Sequence, residues 1–167
     1  ELHATSPNLG AFTSIDAGTV KYLKAGDQTI DGGADLTYHN LTIEGSGTKT
    51  VGTVLNVGND LIINTSNTFD ANANVVVGKD LTINSGTLDF ASNSTFNLVG
   101  DFLMNGGTFT AVGSGAHELE GNWKETAGIF QAGEGTILMD GSVSKDIETI
   151  TGNFFNNLTI GDGAATK

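Results

Sequence analysis

The sequence predicts an all-β chain: a single-stranded, right-handed parallel β-helix (a solenoid) with three short strands in each rung of about 20–21 residues. Three observations carry this. The stretch Val77-Gly78-Lys79-Asp80-Leu81-Thr82-Ile83-Asn84 returns as Val57-Gly58-Asn59-Asp60-Leu61-Ile62-Ile63-Asn64 and as Val99-Gly100-Asp101-Phe102-Leu103-Met104-Asn105. A reduced copy follows at Glu120-Gly121-Asn122-Trp123-Lys124-Glu125. The anchors Leu61, Leu81, Phe102 and Trp123 lie 20, 21 and 21 residues apart, and a fixed period of that size marks a stack of one repeating unit. Between anchors, apolar and polar residues alternate in short runs broken by Gly or Asn, which is the pattern of strand and turn.

Each period resolves into three strands. The first places Leu41 and Ile43, Leu61 and Ile63, Leu81 and Ile83, and Phe102 and Met104 inward. The period-2 rule then turns Thr42, Ile62, Thr82 and Leu103 outward. Asn64, Asn84 and Asn105 close this strand and are expected to form a buried or half-buried amide ladder at a turn. The second strand contributes a core row of Phe69, Leu88, Phe109 and Phe130, followed by Ala71, Phe90, Ala111 and Ala132. The third runs into the glycine. Counted back from the anchors, its inward residues are Val57 and Leu55, Val77 and Val75, Leu98 and Phe96, and Leu119 and His117. Two residues separate Gly78 from Leu81 but only one separates Gly100 from Phe102, so the turn is expected to absorb a deletion while the core keeps its register. Stacking each strand on its copy sets rungs ~4.8 Å apart, and the right hand follows from the general preference of parallel crossovers. An antiparallel sandwich or barrel would explain the composition but not the period.

A longer repeat overlies the short one. At an offset of 117 residues, Gly18-Thr19-Val20 matches Gly135-Thr136-Ile137, Ile30-Asp31 matches Ile147-Glu148, and Tyr38 to Ile43 matches Phe155 to Ile160. The chain is therefore expected to end in the phase in which it began. One domain spans 1–167, with an entry or cap segment at 1–17, rungs over 18–160 and an exit tail at 161–167. Open rungs expose strand edges and core, so neighbouring rungs of a longer chain, or self-association, are expected at the ends.

Composition narrows the partners. Nineteen acidic residues against seven lysines, with no arginine, give a net charge of −12, which repels nucleic acid and anionic membrane surfaces. No apolar run reaches the ~20 residues of a membrane helix. Cysteine is absent, so packing and ladder hydrogen bonds supply the stability. A start at Glu1-Leu2-His3 is what a processed secreted protein or an excised segment would show.

The run Gly121-Asn122-Trp123, then Gly128-Ile129-Phe130-Gln131-Ala132, then Gly135-Thr136-Ile137-Leu138-Met139-Asp140-Gly141-Ser142, then Phe155-Asn156-Asn157-Leu158-Thr159-Ile160 resembles the repeats of large secreted bacterial surface proteins of the adhesin and autotransporter-passenger type. The resemblance lies in repeat grammar. It implies export, cell-surface display and a structural or adhesive role without catalysis, with surface glycans among the candidate partners.

Several residue groups are candidates for chemistry. Glu118, Glu120 and Asp140, with Lys124 beyond the turn, are the outward carboxylates on which a carbohydrate-active β-helix would draw. The alternative is a solvated charged face. A lyase is disfavoured by the lack of arginine. Asp70-Ala71-Asn72 has the spacing that opens a calcium loop but lacks its later glycine and glutamate. Asp70 and Asp89 are expected to stack one rung apart, where calcium or solvent screening would relieve their repulsion. No other cofactor is expected. His117 and Glu125 are inward polar residues that read either as a buried acid–base pair or as a structural hydrogen-bonded pair. His3 and His39 share no metal-like spacing. Ice binding through rows of Thr-x-Thr finds the motif only at Thr108/Thr110. Outward Ile62, Val76, Leu103 and Leu138 are expected to mark a lateral contact.

Overall fold

The computed structural model describes residues 1–9, 17–90, 94–111 and 113–161. In chain order the strands are β1 (Thr19–Tyr22), β2 (Gln28–Thr29), β3 (Thr37–Tyr38), β4 (Asn40–Ile43), β5 (Lys49–Val51) and β6 (Leu55–Val57). Next come β7 (Leu61–Ala71), β8 (Val75–Val77), β9 (Leu81–Phe90), β10 (Phe96–Leu98), β11 (Phe102–Met104) and β12 (Thr108–Ala111). The last are β13 (Ala116–Leu119), β14 (Trp123–Glu125), β15 (Ile129–Gln131), β16 (Thr136–Met139), β17 (Ile147–Glu148) and β18 (Asn157–Ile160). Every strand pairing is parallel, and the whole is a β-solenoid.

Two sheets run the length of the stack. One has eleven strands and holds the anchor strands in the order β1-β4-β7-β9-β11-β14-β17. Its column Val20, Leu41, Leu61, Leu81, Phe102, Trp123, Ile147 is in register throughout. The second strand of each rung belongs to the same sheet, and in β7 and β9 it is continuous with the first. The other sheet has seven strands, β18-β16-β13-β10-β8-β6-β3. There Tyr38, Val57, Val77, Leu98, Leu119, Met139 and Ile160 form one column. The anchors Leu61, Leu81, Phe102 and Trp123 have no exposed surface, nor do Phe69, Leu88 and Phe109, and Phe130 is 6% exposed. The core is aliphatic in the middle rungs and aromatic later, where Phe102 and Trp123 stack at 4.1 Å and Phe109 and Phe130 at 5.4 Å.

Four expectations are corrected. The corner leading into the anchor does not shorten. Residues 78–80 and 99–101 both bridge columns in register, so Gly100 stacks over Lys79, not Gly78, its N–H donating to the Lys79 carbonyl at 2.8 Å. The glycine moves within a corner of constant length, and Val99 takes the exposed first place. Second, Asn64, Asn84 and Asn105 are exposed, not buried. The strand pairing slips at this corner, so Asn64 lies opposite Ser85. Only Asn105 and Asn84 are linked, at 3.0 Å, with Thr126 bonding Asn105 at 3.0 Å. Third, the chain does not end in its starting phase. The matched pairs do pair identically, Val20 with Leu41 and Ile137 with Leu158, but on different sheets. Fourth, Thr42 lies in the outward column between Lys21 and Ile62 yet is only 6% exposed. The tail 162–167 lies outside the described residues.

Candidate functional site

The corner that precedes each anchor carries the most regular polar feature of the molecule. Asn40, Asp60, Asp80, Asp101, Asn122 and Asp146 all stand immediately before an anchor-column residue. The side-chain Oδ1 of each of the first five accepts the backbone N–H of the next. The distances are 3.3 Å for Asn40 to Asp60, 3.4 Å for Asp60 to Asp80 and 2.9 Å for Asp80 to Asp101. They continue at 2.8 Å for Asp101 to Asn122 and 2.9 Å for Asn122 to Asp146. A side-chain oxygen thus meets an orphan corner N–H once per rung, with a net gain of about 1 kcal/mol each. Lys79 lies 3.5 Å from Asp60 and 3.9 Å from Asp80, offsetting the stacked negative charge. In the sequence this column is masked by the more conspicuous glycine beside it. Its signal is an Asx at the place before each of the anchors Leu61, Leu81, Phe102 and Trp123.

Beside this column lies a cleft of about 330 Å³ lined by Asp80, Thr82, Asp101, Asn122, Lys124 and Glu148 among others. Lys124 pairs with Glu148 at 3.1 Å along its floor. None of the predicted carboxylates lines it. Glu118 sits on the second sheet with Asn97 and Leu138 as column neighbours, and Asn97 Nδ2 donates to it at 2.6 Å. Glu120 and Asp140 follow Leu119 and Met139, which are partners, so these two are neighbours along the stack at the next corner. Lys124 is on the other sheet from Glu118.

The inward polar residues do not form a pair. His117 is 2% exposed, its Nδ1 accepting the Phe96 N–H at 3.3 Å and its ring lying 4.9 Å from Phe96 and 5.2 Å from Phe90. Glu125 is instead held by Trp123 Nε1 at 2.7 Å and Asn153 Nδ2 at 2.7 Å. Burial among aromatic rings lowers the His117 pKa to about 4, from an ordinary 6.5. An unfolded chain therefore binds one proton more than the folded one between those values. Stability due to this group is whole above pH 6.5 and drains as pH falls towards 4, by about 3 kcal/mol at the limit. Urea midpoints at pH 7 and 4.5 should separate less in His117→Phe than in the parent. Equal separations would contradict the assignment.

Asp70 and Asp89 stack as expected, with Thr50, Thr110 and Gln131 continuing the column. Asn72 Nδ2 donates to Asp70 at 2.8 Å. Partial burial, and then the charge of Asp70, hold the Asp89 carboxyl above the usual carboxylate range. An acid so shifted favours the fold when protonated, and that contribution is lost as pH rises from 3.8 through its raised value. Asp89→Asn is expected to stabilise by about 0.5 kcal/mol at neutral pH, with the gain gone at pH 3. Calcium added to thermal melts tests the cation reading of Asp70, Asn72 and Asp89 directly. A rise in the parent that vanishes in Asp89→Asn would establish it. Among the described residues no three His, Asp or Glu side chains are grouped to hold a metal.

Two further polar residues sit in the core unannounced. Gln28 and Lys49 occupy the column of Phe69. Lys49 has no exposed surface, and its Nζ donates to the carbonyls of Lys24, Gly26 and Ser46 at 2.9, 2.9 and 2.5 Å. Three donors meet three acceptors, the arrangement a buried ammonium needs. Burial, and then the charge of Lys24, lower its pKa. The outward apolar residues do not line up. Thr82 separates Ile62 from Leu103, and Asn97 and Glu118 stand between Val76 and Leu138. The threonine column Thr68, Thr87, Thr108 ends at Ile129.

Comparison with family models, with curated proteins and with solved structures finds no match. The functional reading rests on this chain's own residues.

Proposed function

We propose that the chain is a non-enzymatic structural or adhesive module of a secreted, cell-surface protein or filament: a stiff spacer that carries or displays what it is joined to. The observation behind this reading is the unbroken parallel register. In both sheets each strand between the ends of its ladder is bonded in parallel to the strands above and below, and the Asx column repeats the link at one corner. Bending such a stack requires several ladder bonds per rung to fail together, so it transmits position along its length. The repeat grammar supports export and display, and the acidic surface supports partners other than nucleic acid or anionic lipid.

Incubation with a panel of cell-surface polysaccharides tests this. The parent and the combined Glu118→Ala, Glu120→Ala, Asp140→Ala variant should both leave them intact, and micrographs of the native assembly should show ordered rods. Cleavage by the parent that the variant loses would replace this reading with the enzymatic one.

One observation favours glycan binding as a second reading. The cleft by the Asx column sets carboxylate, amide, hydroxyl and ammonium groups side by side over successive rungs. Calorimetric titration with neutral oligosaccharides, against Asp101→Ala, tests it; heat unchanged by the substitution would exclude the cleft.

A further inference from the structure

The offset repeat places two strand pairs of the same construction at different distances from an end. In β4, Leu41 and Ile43 have no exposed surface because β7 lies on them, Leu41 against Leu61 and Ile43 against Ile63. Two polar contacts fix that docking. The Leu41 N–H donates to the Asp60 carbonyl at 3.0 Å, and Asn40 Oδ1 accepts the Asp60 N–H at 3.3 Å. In β18 the same residues recur as Asn157, Leu158 and Ile160.

The face of β18 towards β16 reproduces the face of β4 towards β1. Asn157 Nδ2 bonds the Gly135 carbonyl at 3.4 Å, as Asn40 Nδ2 bonds that of Gly18 at 3.3 Å. The opposite face differs. Leu158 is 37% exposed, Ile160 62% and nearby Phe154 71%. Among the described residues no backbone N–H reaches Asn157 Oδ1. Leu158 and Ile160 stand in register with Ile137 and Met139, so they are core positions that no rung among the described residues covers.

We propose that β18 is the acceptor for a further parallel rung of the same polypeptide, one that opens with an Asx–apolar–x–apolar strand of the β7 kind. This rests on the structural-module reading and names the partner that module meets. The incoming Asx would donate its N–H to Asn157 Oδ1 and accept the Leu158 N–H, and its two apolar residues would cover Leu158 and Ile160. A second copy stacked head to tail fits less well, because the opposite end is already closed by polar contacts. There the Leu2 N–H donates to the Lys21 carbonyl at 2.8 Å, and the Leu9 N–H donates to the Asp31 carboxylate. Gln28 Nε2 donates to the carbonyls of Leu2 and Ala4 at 3.0 and 2.8 Å. The apolar end would meet a strap that has its partners.

The experiment extends the chain after Gly161 with a copy of its own residues 45–80, which continues the offset register, and compares it with an extension of scrambled order. The authentic extension should melt higher than the scrambled one and slow amide exchange at Leu158 by about tenfold or more. Equal melting and equal exchange in the two would overturn the proposal. Protection of Leu158 that grows with concentration in the unextended chain, together with a dimer mass, would assign the end to a second copy and overturn it as well. Polysaccharide cleavage would instead sink the structural reading while leaving these comparisons as they are.

Discussion

Gly121→Ala is expected to destabilise the protein by about 3 kcal/mol or more, while Gly58→Ala is expected to be neutral or to stabilise by about 0.5 kcal/mol. Both glycines sit at the same kind of corner, and neither has the positive φ that would reserve the place for glycine. What separates them is the rung beneath. A Cβ on Gly121 would collide with the Gly100 carbonyl oxygen and with the Asp101 carboxylate, which is itself committed to the Asx column. A Cβ on Gly58 would meet the Tyr38 carbonyl at 3.5 Å, an ordinary contact. The glycine is thus kept by the close approach of one backbone to the next. Gly78, whose Cβ would strike the Gly58 carbonyl, should behave like Gly121. Urea denaturation of the three variants checks the order, and equal costs at Gly58 and Gly121 would contradict it.

Trp123→Ala is expected to cost about 4 kcal/mol. The indole is fully buried, stacks on Phe102 at 4.1 Å, and touches Phe130 and Phe155 with centroids 5.0 Å away in each case. It also ties Glu125 at 2.7 Å, one of the contacts that let a carboxylate sit inside the stack. Trp123→Phe keeps most of the apolar contact and removes that donor, so its cost should be intermediate, about 2 kcal/mol. Glu125 would retain the Asn153 amide at 2.7 Å and the Ile150 N–H at 3.4 Å. Chemical denaturation of both variants tests the ranking. A phenylalanine variant as stable as the parent would show that the indole N–H contributes nothing.

The core was legible because two periods agree within it. Alternation assigns a face to Leu61, Phe69 and Val77, and the recurrence near 20 residues stacks each face on its copy. The corners are less legible, since strand alternation does not extend through them and the conspicuous glycine shifts place within the corner while the Asx keeps its own. The spacing of Asn64, Asn84 and Asn105 predicts a buried or half-buried ladder at a corner where the pairing in fact slips, while a ladder running rung to rung forms through Asp60, Asp80 and Asp101 one corner away. Lys49 and Gln28 are not legible as core residues, because a polar residue in a core column breaks the apolar alternation that marks one. The 117-residue correspondence recovered which strand lies on which. It did not recover the sheet, because that depends on the corners between, and the step from Asn122 to Asp146 is lengthened to 24 residues. The site was the least legible part. Alternation and the rung period group Glu118, Glu120 and Asp140 on one outer face; the fold keeps Glu120 and Asp140 as stack neighbours but puts them at a corner, with Glu118 on the strand face before it.

The account depends on one register running through the stack, and the absence of native cysteine allows a direct test with paired substitutions. Ile62, Thr82 and Leu103 occupy successive places in the outward column of the anchor strands. Neighbours in that column are ~4.8 Å apart and second neighbours ~9.6 Å, against a disulfide window of about 4.4–6.8 Å between Cα atoms. Ile62→Cys with Thr82→Cys, and Thr82→Cys with Leu103→Cys, should each oxidise within a monomer under mild conditions without loss of the fold. Ile62→Cys with Leu103→Cys should stay reduced. Oxidation of the distant pair in preference to the adjacent ones would contradict the stack.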